Sequence, residues 1–185
     1  MRSFVAIEID PAIKRTVADF QRKLRRLGPS SVSWTREDGM HLTLKFLGEI
    51  DESQAARLRE SLAGIAAATA SFGLSVRGTG AFPPGRPPRV LWVGVEAPSG
   101  FAELQASVEA AAASVGIAPE DRPFHPHLTL GRVRAPGGLQ PLLAELERAG
   151  GTEFGVMTAR ALVLFQSVLK PTGAEYSPLG IFEFR

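Results

Sequence analysis

The chain has 185 residues, an ordinary apolar fraction of 44% and a net charge of only +2. It can therefore bury a sizeable core as one domain or two small lobes, and its global charge singles out no class of partner. It has no cysteine, which excludes disulfides and thiolate metal sites, and no run apolar enough to span a bilayer.

The opening segment, Arg2 to Ile9, reads as a strand and carries no signal-peptide core, so a cytoplasmic protein is expected. Asp10-Pro11 then opens a helix, with Asp as N-cap and Pro in the first turn. Its apolar residues Ile13, Val17, Phe20, Leu24 and Leu27 follow at helical spacing, and Gly28-Pro29 ends it. Trp34 precedes a strand over about 40–47 that contains His41-Leu42-Thr43-Leu44. Asp51-Glu52-Ser53-Gln54 is a capping box for a helix carrying Ala55, Leu58, Leu62 and Ile65. A strand follows from Phe72 to Val76. Gly80 to Pro88 is too rich in Pro and Gly for a helix interior or a central strand, so it reads as a connector.

Beyond the connector the order repeats. Arg89 to Glu96 is a strand, and Pro98-Ser99-Gly100 leads into a helix with Phe101, Leu104, Val108, Ala111 and Val115. A strand over about 124–133 holds His127-Leu128-Thr129-Leu130. A shorter helix runs from Leu139 to Leu146, a strand region from Phe154 to Leu169, and a last strand, without a counterpart, from about Glu175 to Phe184. The expected architecture is α+β: a single domain of two repeats, about 1–80 and 89–170, with 80–88 between them. A pseudo-two-fold axis would bring the two motif strands face to face across a cleft.

Only three histidines occur in the chain, and two of them open the repeated motif. On a strand, His and Thr at i and i+2 share one face while the leucines take the other. Two such strands offer two imidazoles and two hydroxyls but no carboxylate. Phosphodiester cleavage needs a base for the attacking oxygen, an acid for the leaving oxygen and donors for charge on phosphorus. His41 and His127 can serve as acid and base near neutral pH, and Thr43 and Thr129 can donate hydroxyls to the non-bridging oxygens. Strict alternation places Lys45 on the His41 face and Arg132 on the face opposite His127, unless the strand bends. It also places Phe46 on the core face, and Trp92, inside an apolar strand, reads as core. Trp34 could border the cleft, and Tyr176, in a loop-like context, could touch substrate. His125 and His127 at i and i+2 resemble two metal ligands, but the local sequence lacks a third; a structural role for His125 fits better.

These features resemble the 2H phosphoesterase superfamily, named for two His-x-Thr motifs in a duplicated fold, and within it the RNA 2',3'-cyclic phosphodiesterases, first described as 2'-5' RNA ligases. The likeness spans Phe4 to Ile9, Trp34 to Gly48, Arg86 to Val93, Phe124 to Arg132, and Phe165 with Tyr176, with no departure at either motif. It implies a bilobal α+β fold: two antiparallel sheets facing a central cleft, with helices outside. It implies metal-independent opening of a 2',3'-cyclic phosphate to a 2'-phosphomonoester, with no cofactor. His127 would be the proton acceptor and His41 the proton donor. Thr43 and Thr129 would hold the phosphate, and Arg132 would assist despite its place in the alternation. Expected partners are RNA ends or small nucleotides bearing a cyclic phosphate; no membrane is involved, and the protein would act as a monomer. Two other readings stay open: an RNA-end or nucleotide-binding module without turnover, and a reversible 2'-5' RNA ligase.

Overall fold

The computed structural model describes residues 1–84, 87–171 and 173–185. In chain order the elements are β1 (Arg2–Glu8), α1 (Pro11–Leu27), β2 (Val32–Trp34), β3 (His41–Glu49), α2 (Glu52–Ala68), β4 (Phe72–Phe82), β5 (Val90–Glu96), α3 (Phe101–Ser114), β6 (His127–Val133), α4 (Gln140–Arg148), β7 (Glu153–Ala159), β8 (Ala161–Lys170) and β9 (Gly173–Glu183). The fold is α+β with two antiparallel sheets, ordered β3-β1-β8-β9 and β2-β6-β5-β4-β7. Among the described residues, no helix is long and apolar enough to cross a membrane.

Local chemistry sets the helix ends largely as expected, although Asp10, at the N-cap position of α1, makes no side-chain capping hydrogen bond. Asp51 accepts from the Gln54 backbone N–H, and the Gln54 side chain accepts from the Asp51 N–H, 2.8 and 3.0 Å; two otherwise unpaired donors are thereby satisfied. Pro11 sits in the first turn of α1, and Gly28 closes the helix with its N–H on the Leu24 carbonyl.

The strands are shared between the two halves of the chain. β1 and β3 of the first half share a sheet with β8 and β9 of the second, while β2 and β4 of the first half join β5, β6 and β7. Each motif strand lies beside the opening strand of its own repeat: β3 beside β1, and β6 beside β5. The next strand inward comes from the other repeat, β8 beside β1 and β4 beside β5. The helices cross over likewise. α3 packs against β3, and α1 packs against β7.

Two expected boundaries move, and one residue changes its setting. β4 runs on to Phe82, pairing Gly80 with Trp92 and Phe82 with Val90, so the connector begins only after residue 82. Its Gly85 and Arg86 lie outside the described residues. Gly80 is what permits the pairing, because a Cβ there would come within 2.3 Å of the Trp92 ring. The region from 154 to 169 divides at Arg160 into β7 and β8, which belong to different sheets. Tyr176 lies on β9 rather than in a loop.

Both sheets bury the leucine face of their motif. Leu42 and Leu128 are fully buried, worth about 1.5–3 kcal/mol each relative to exposure. The opposite face of the first sheet carries a second small cluster of Phe4, Ala6, Val163 and Phe165, with Tyr176 packed on it.

Candidate active site

The motif strands share a device that the alternating pattern hides. In β3, Ala6 pairs with Thr43 and Val5 with Lys45, leaving Leu44 unmatched. In β6, Trp92 pairs with Thr129 and Leu91 with Gly131, leaving Leu130 unmatched. Each motif thus ends in a β-bulge, which puts two successive residues on one face and shifts the alternation by one. The burial follows: Leu44 and Lys45 are both buried, as are Leu130 and Gly131.

The bulges overturn three expectations. Lys45 turns away from His41 and is buried, its Nζ 2.6 Å from Glu109 Oε1 and 2.9 Å from the Ala118 carbonyl. Phe46 leaves the core for the His41 face and is 63% exposed. Arg132 comes round to the face of His127 and is exposed. Phe46 and Arg132 each stand five residues after their histidine, so they occupy matching places in the two copies. The position before them differs because β2 lies against β6. A Cβ at Gly131 would stand 3.1 Å from the Ser33 carbonyl, the Trp34 ring and Val32, whereas Lys45, on an edge strand, has room. Trp92 also departs from expectation. It lies opposite Thr129, hence on the motif face, and it is half-buried rather than core.

The unpaired bulge carbonyls are satisfied from the helices. Gln105 of α3 donates to Leu44 O at 3.4 Å. Gln21 of α1, itself buried, donates to Leu130 O at 2.8 Å and to Thr35 O at 2.7 Å. The Thr35 N–H donates to Leu130 O at 2.9 Å. Gln21 therefore ties the segment leading into β3 to the bulge of β6, and β3 and β6 lie in contact where the sheets meet.

The two histidines have different surroundings. His41 opens β3 directly across from Glu8, the last residue of β1. It is 7% exposed, with ring centroids 4.6 Å from Phe165, 5.4 Å from Tyr176 and 5.8 Å from Phe4. Its Nε2 lies 3.2 Å from Glu8 Oε2, and Lys14 donates to the other Glu8 oxygen. Burial works against the charge on Glu8, but the hydrogen bonds from His41 and Lys14 prevail and hold its carboxyl below the usual value. Glu8 supplies the carboxylate that the paired motifs lack. The one signal for it in the sequence is its place at the end of a strand, which acquires meaning only once the register is known.

His127 is less enclosed. Its Nδ1 lies 2.6 Å from the His125 carbonyl, and its ring meets Phe82 edge-on at 5.3 Å. Desolvation pushes its pKa down; the His125 carbonyl opposes this, and the charges of Arg132 and His125 add to the lowering. Thr43 and Thr129 are each half-buried on the strand face of their histidine. His125 is exposed and serves His127 through its backbone. Among the described residues no three His, Asp or Glu side chains cluster as a metal site. An open cleft of about 790 Å³ lies beside Glu8, with Lys14, Gln21, Arg25 and Arg36 in its wall.

A carbonyl can only accept, so the 2.6 Å contact fixes the proton of neutral His127 on Nδ1 and leaves the lone pair on Nε2. An ionised carboxylate can only accept, so His41 carries a proton on Nε2. His127 therefore presents a free Nε2, and His41 holds its Nε2 proton toward Glu8.

The profile of a family described as LigT-like phosphoesterase matches the chain twice, over residues 7–92 and 93–176. The RNA 2',3'-cyclic phosphodiesterase of Archaeoglobus fulgidus is 36% identical over 184 residues, covering 99% of this chain and 100% of that protein. The enzyme of the same name from Methanothermobacter thermautotrophicus is 32% identical over 98% of both chains. Among solved structures, a Thermus thermophilus protein superposes with a TM-score of 0.84 at 30% identity, covering 100% of this chain and 98% of that one. Escherichia coli LigT complexed with 3'-AMP gives 0.81 at 26% identity, covering 99% and 97%.

Proposed function

The chain belongs to the LigT-like phosphoesterase family, and on that premise we propose that it is an RNA 2',3'-cyclic phosphodiesterase. It opens the cyclic phosphate of RNA ends or nucleotides to a 2'-phosphomonoester, in the cytoplasm and as a monomer. The relatives' shared name supports the activity. The free Nε2 of His127 and the carboxylate facing His41 support the mechanism, and the contrast between these two surroundings carries the assignment of roles.

In this reading His127 Nε2 takes a proton from water as the water oxygen attacks phosphorus. The bond from phosphorus to the 3'-oxygen breaks, and His41, entering the step as the imidazolium paired with Glu8, passes its Nε2 proton to the departing oxygen and is left a neutral imidazole. Thr43 and Thr129 donate to the non-bridging oxygens, and Arg132 offsets the charge that builds on them. Glu8 and Lys14 hold the His41 ring with its proton. His127 then loses its proton to solvent, and His41 regains one. The acid, the base and the charge compensation all come from side chains, so the reaction proceeds without a metal.

The test is to incubate the protein with adenosine 2',3'-cyclic phosphate and identify the product isomer by chromatography. The 2'-phosphate is expected, with no loss of rate in chelator. His41→Ala and His127→Ala should each slow the reaction by about 10²–10⁴-fold while circular dichroism stays native. Full rate in either variant would sink the scheme.

A further inference from the structure

α1 buries two polar side chains, Lys14 and Gln21. Buried polar groups need partners, and these two find them at different motif strands. Lys14 donates to Glu8, and Glu8 Oε2 lies 3.2 Å from His41 Nε2. Gln21 spends both hydrogens of its amide nitrogen, one on Leu130 O at 2.8 Å and one on Thr35 O at 2.7 Å. Leu130 is the unmatched bulge residue of β6, next to Thr129 and three places after His127. Thr35 begins the short segment that enters β3 at His41. That segment has little room to shift, since a Cβ at its Gly39 would stand 2.9 Å from the Tyr176 ring, and Tyr176 meets His41 edge-on at 5.4 Å. Lys14 and Gln21 are seven residues apart, which is two turns of one helix face and about 10.5 Å along the axis. α1 is thus a spacer, fixed at one end to His41 through Glu8 and at the other to the strand of His127.

We propose that Gln21 is a positioning residue: it holds the His127 strand at the distance from His41 at which one phosphorus is reached from both sides. The proposal rests on the phosphodiesterase reading and adds to it the part that sets the gap between acid and base. β3 and β6 belong to different sheets, so no ladder of backbone bonds fixes their spacing. Apolar packing between the strands lets them slide by small amounts, whereas an amide aimed at two carbonyls does not. Leu130 O accepts from Gln21 and from the Thr35 N–H together, which fills both its lone pairs and fixes the direction of the amide. Gln21 touches no reacting atom. It acts through alignment, and a misplacement of about 1 Å in such a site costs on the order of a hundred-fold in rate.

The experiment is a double-mutant cycle on adenosine 2',3'-cyclic phosphate, with the parent protein, Gln21→Met, His41→Ala and the double variant, at a temperature where circular dichroism shows all four folded. Methionine keeps the length of glutamine and removes both donors. Gln21→Met should lower kcat by about ten- to a hundred-fold and leave KM near the parent value. In the His41→Ala background the same change should cost less than about threefold, because with the acid gone the substrate can settle on the His127 strand alone. Full kcat in Gln21→Met overturns the proposal. So does a loss as large with His41→Ala as without it, since a general loosening of the fold would add to the loss of the acid. If Gln21→Met does not fold, Gln21→Glu, which keeps the shape and at most one donor, takes its place in the cycle with the same outcomes. If the parent protein does not open the cyclic phosphate, the functional reading fails and the spacer falls with it; an active parent with either overturning result removes the spacer alone.

Discussion

Replacing Lys45 by methionine tests whether the bulge sets the face of every residue after Thr43. In the structure the ammonium is 6% exposed, and Glu109 facing it is 21% exposed. Among the described residues, without the ammonium Glu109 Oε1 keeps only the Glu120 N–H at 2.7 Å, and Oε2 is buried with no partner. Breaking a buried ion pair from one side costs about 3–5 kcal/mol. The partial exposure of Glu109 and its remaining donor reduce this to about 2–4 kcal/mol. For a chain of this length, each kcal/mol moves the melting temperature by about 2–4 °C, so a fall of about 5–15 °C is expected. Turnover per folded molecule at about 25 °C should stay at the parent level. Adding Glu109→Met should recover most of the lost stability, because an apolar pair in place of a buried ion pair is nearly neutral. Calorimetry and steady-state kinetics on the three variants decide the matter. If Lys45→Met melts like the parent but loses a hundred-fold in kcat/KM, the ammonium faces substrate and the register reasoning is wrong.

A base that must be neutral to work, and whose pKa is pushed down, stays active to lower pH. The acid-side fall of kcat/KM should therefore lie below the ordinary histidine value near about 6.5. Arg132→Gln removes one of the lowering charges on His127, so it should move that fall to higher pH; no movement in a pH–rate profile would separate Arg132 from the base. Glu8→Gln keeps the shape of the residue but loses the fixed acceptor for the His41 proton, and should slow the reaction by about ten- to a hundred-fold, less than loss of the acid itself. A substrate with sulfur as the 3'-leaving atom departs without a proton, so it should be nearly indifferent to Glu8→Gln; equal losses on both substrates would show that Glu8 acts on the fold and not through His41.

How much of this was legible before the structure depends on the range of the interaction. The caps at Asp51 and Gly28 lie within a few residues of what they cap, and their sequence signals hold, whereas Asp10 stands at the N-cap position of α1 without a side-chain hydrogen bond. The repeat also shows in the sequence, because both copies keep a strand, a helix and a His-x-Thr strand in the same order. The strand exchange does not show. Whether β4 joins the sheet of β1 or that of β5 is settled by contacts across the whole chain, and no local pattern marks the break at Arg160. Leu44 and Leu130 look like ordinary alternating leucines. Their bulges are held by Gln21 and Gln105, two unremarked polar residues on helices far away in sequence. One uncounted residue per strand was enough to misplace Lys45, Phe46 and Arg132 together.

In the proposed mechanism two like motifs take unlike roles, and the duplication bears on how they do so. Hydrolysis needs one proton taken and one given, yet a repeated sequence supplies the same His-x-Thr twice. The difference comes from what each histidine meets first. His41 sits across the ladder from Glu8, whereas the corresponding partner of His127 is Gly94, which has no side chain to offer. In the absence of a facing carboxylate, His127 turns its Nδ1 to the backbone carbonyl of His125. A Cβ at Gly94 would stand 2.6 Å from the Arg77 carbonyl, so the close approach of β4 at that point keeps the residue a glycine. Strand packing on the second sheet thus excludes a second Glu8, and the exclusion leaves His127 with its lone pair where a base requires it.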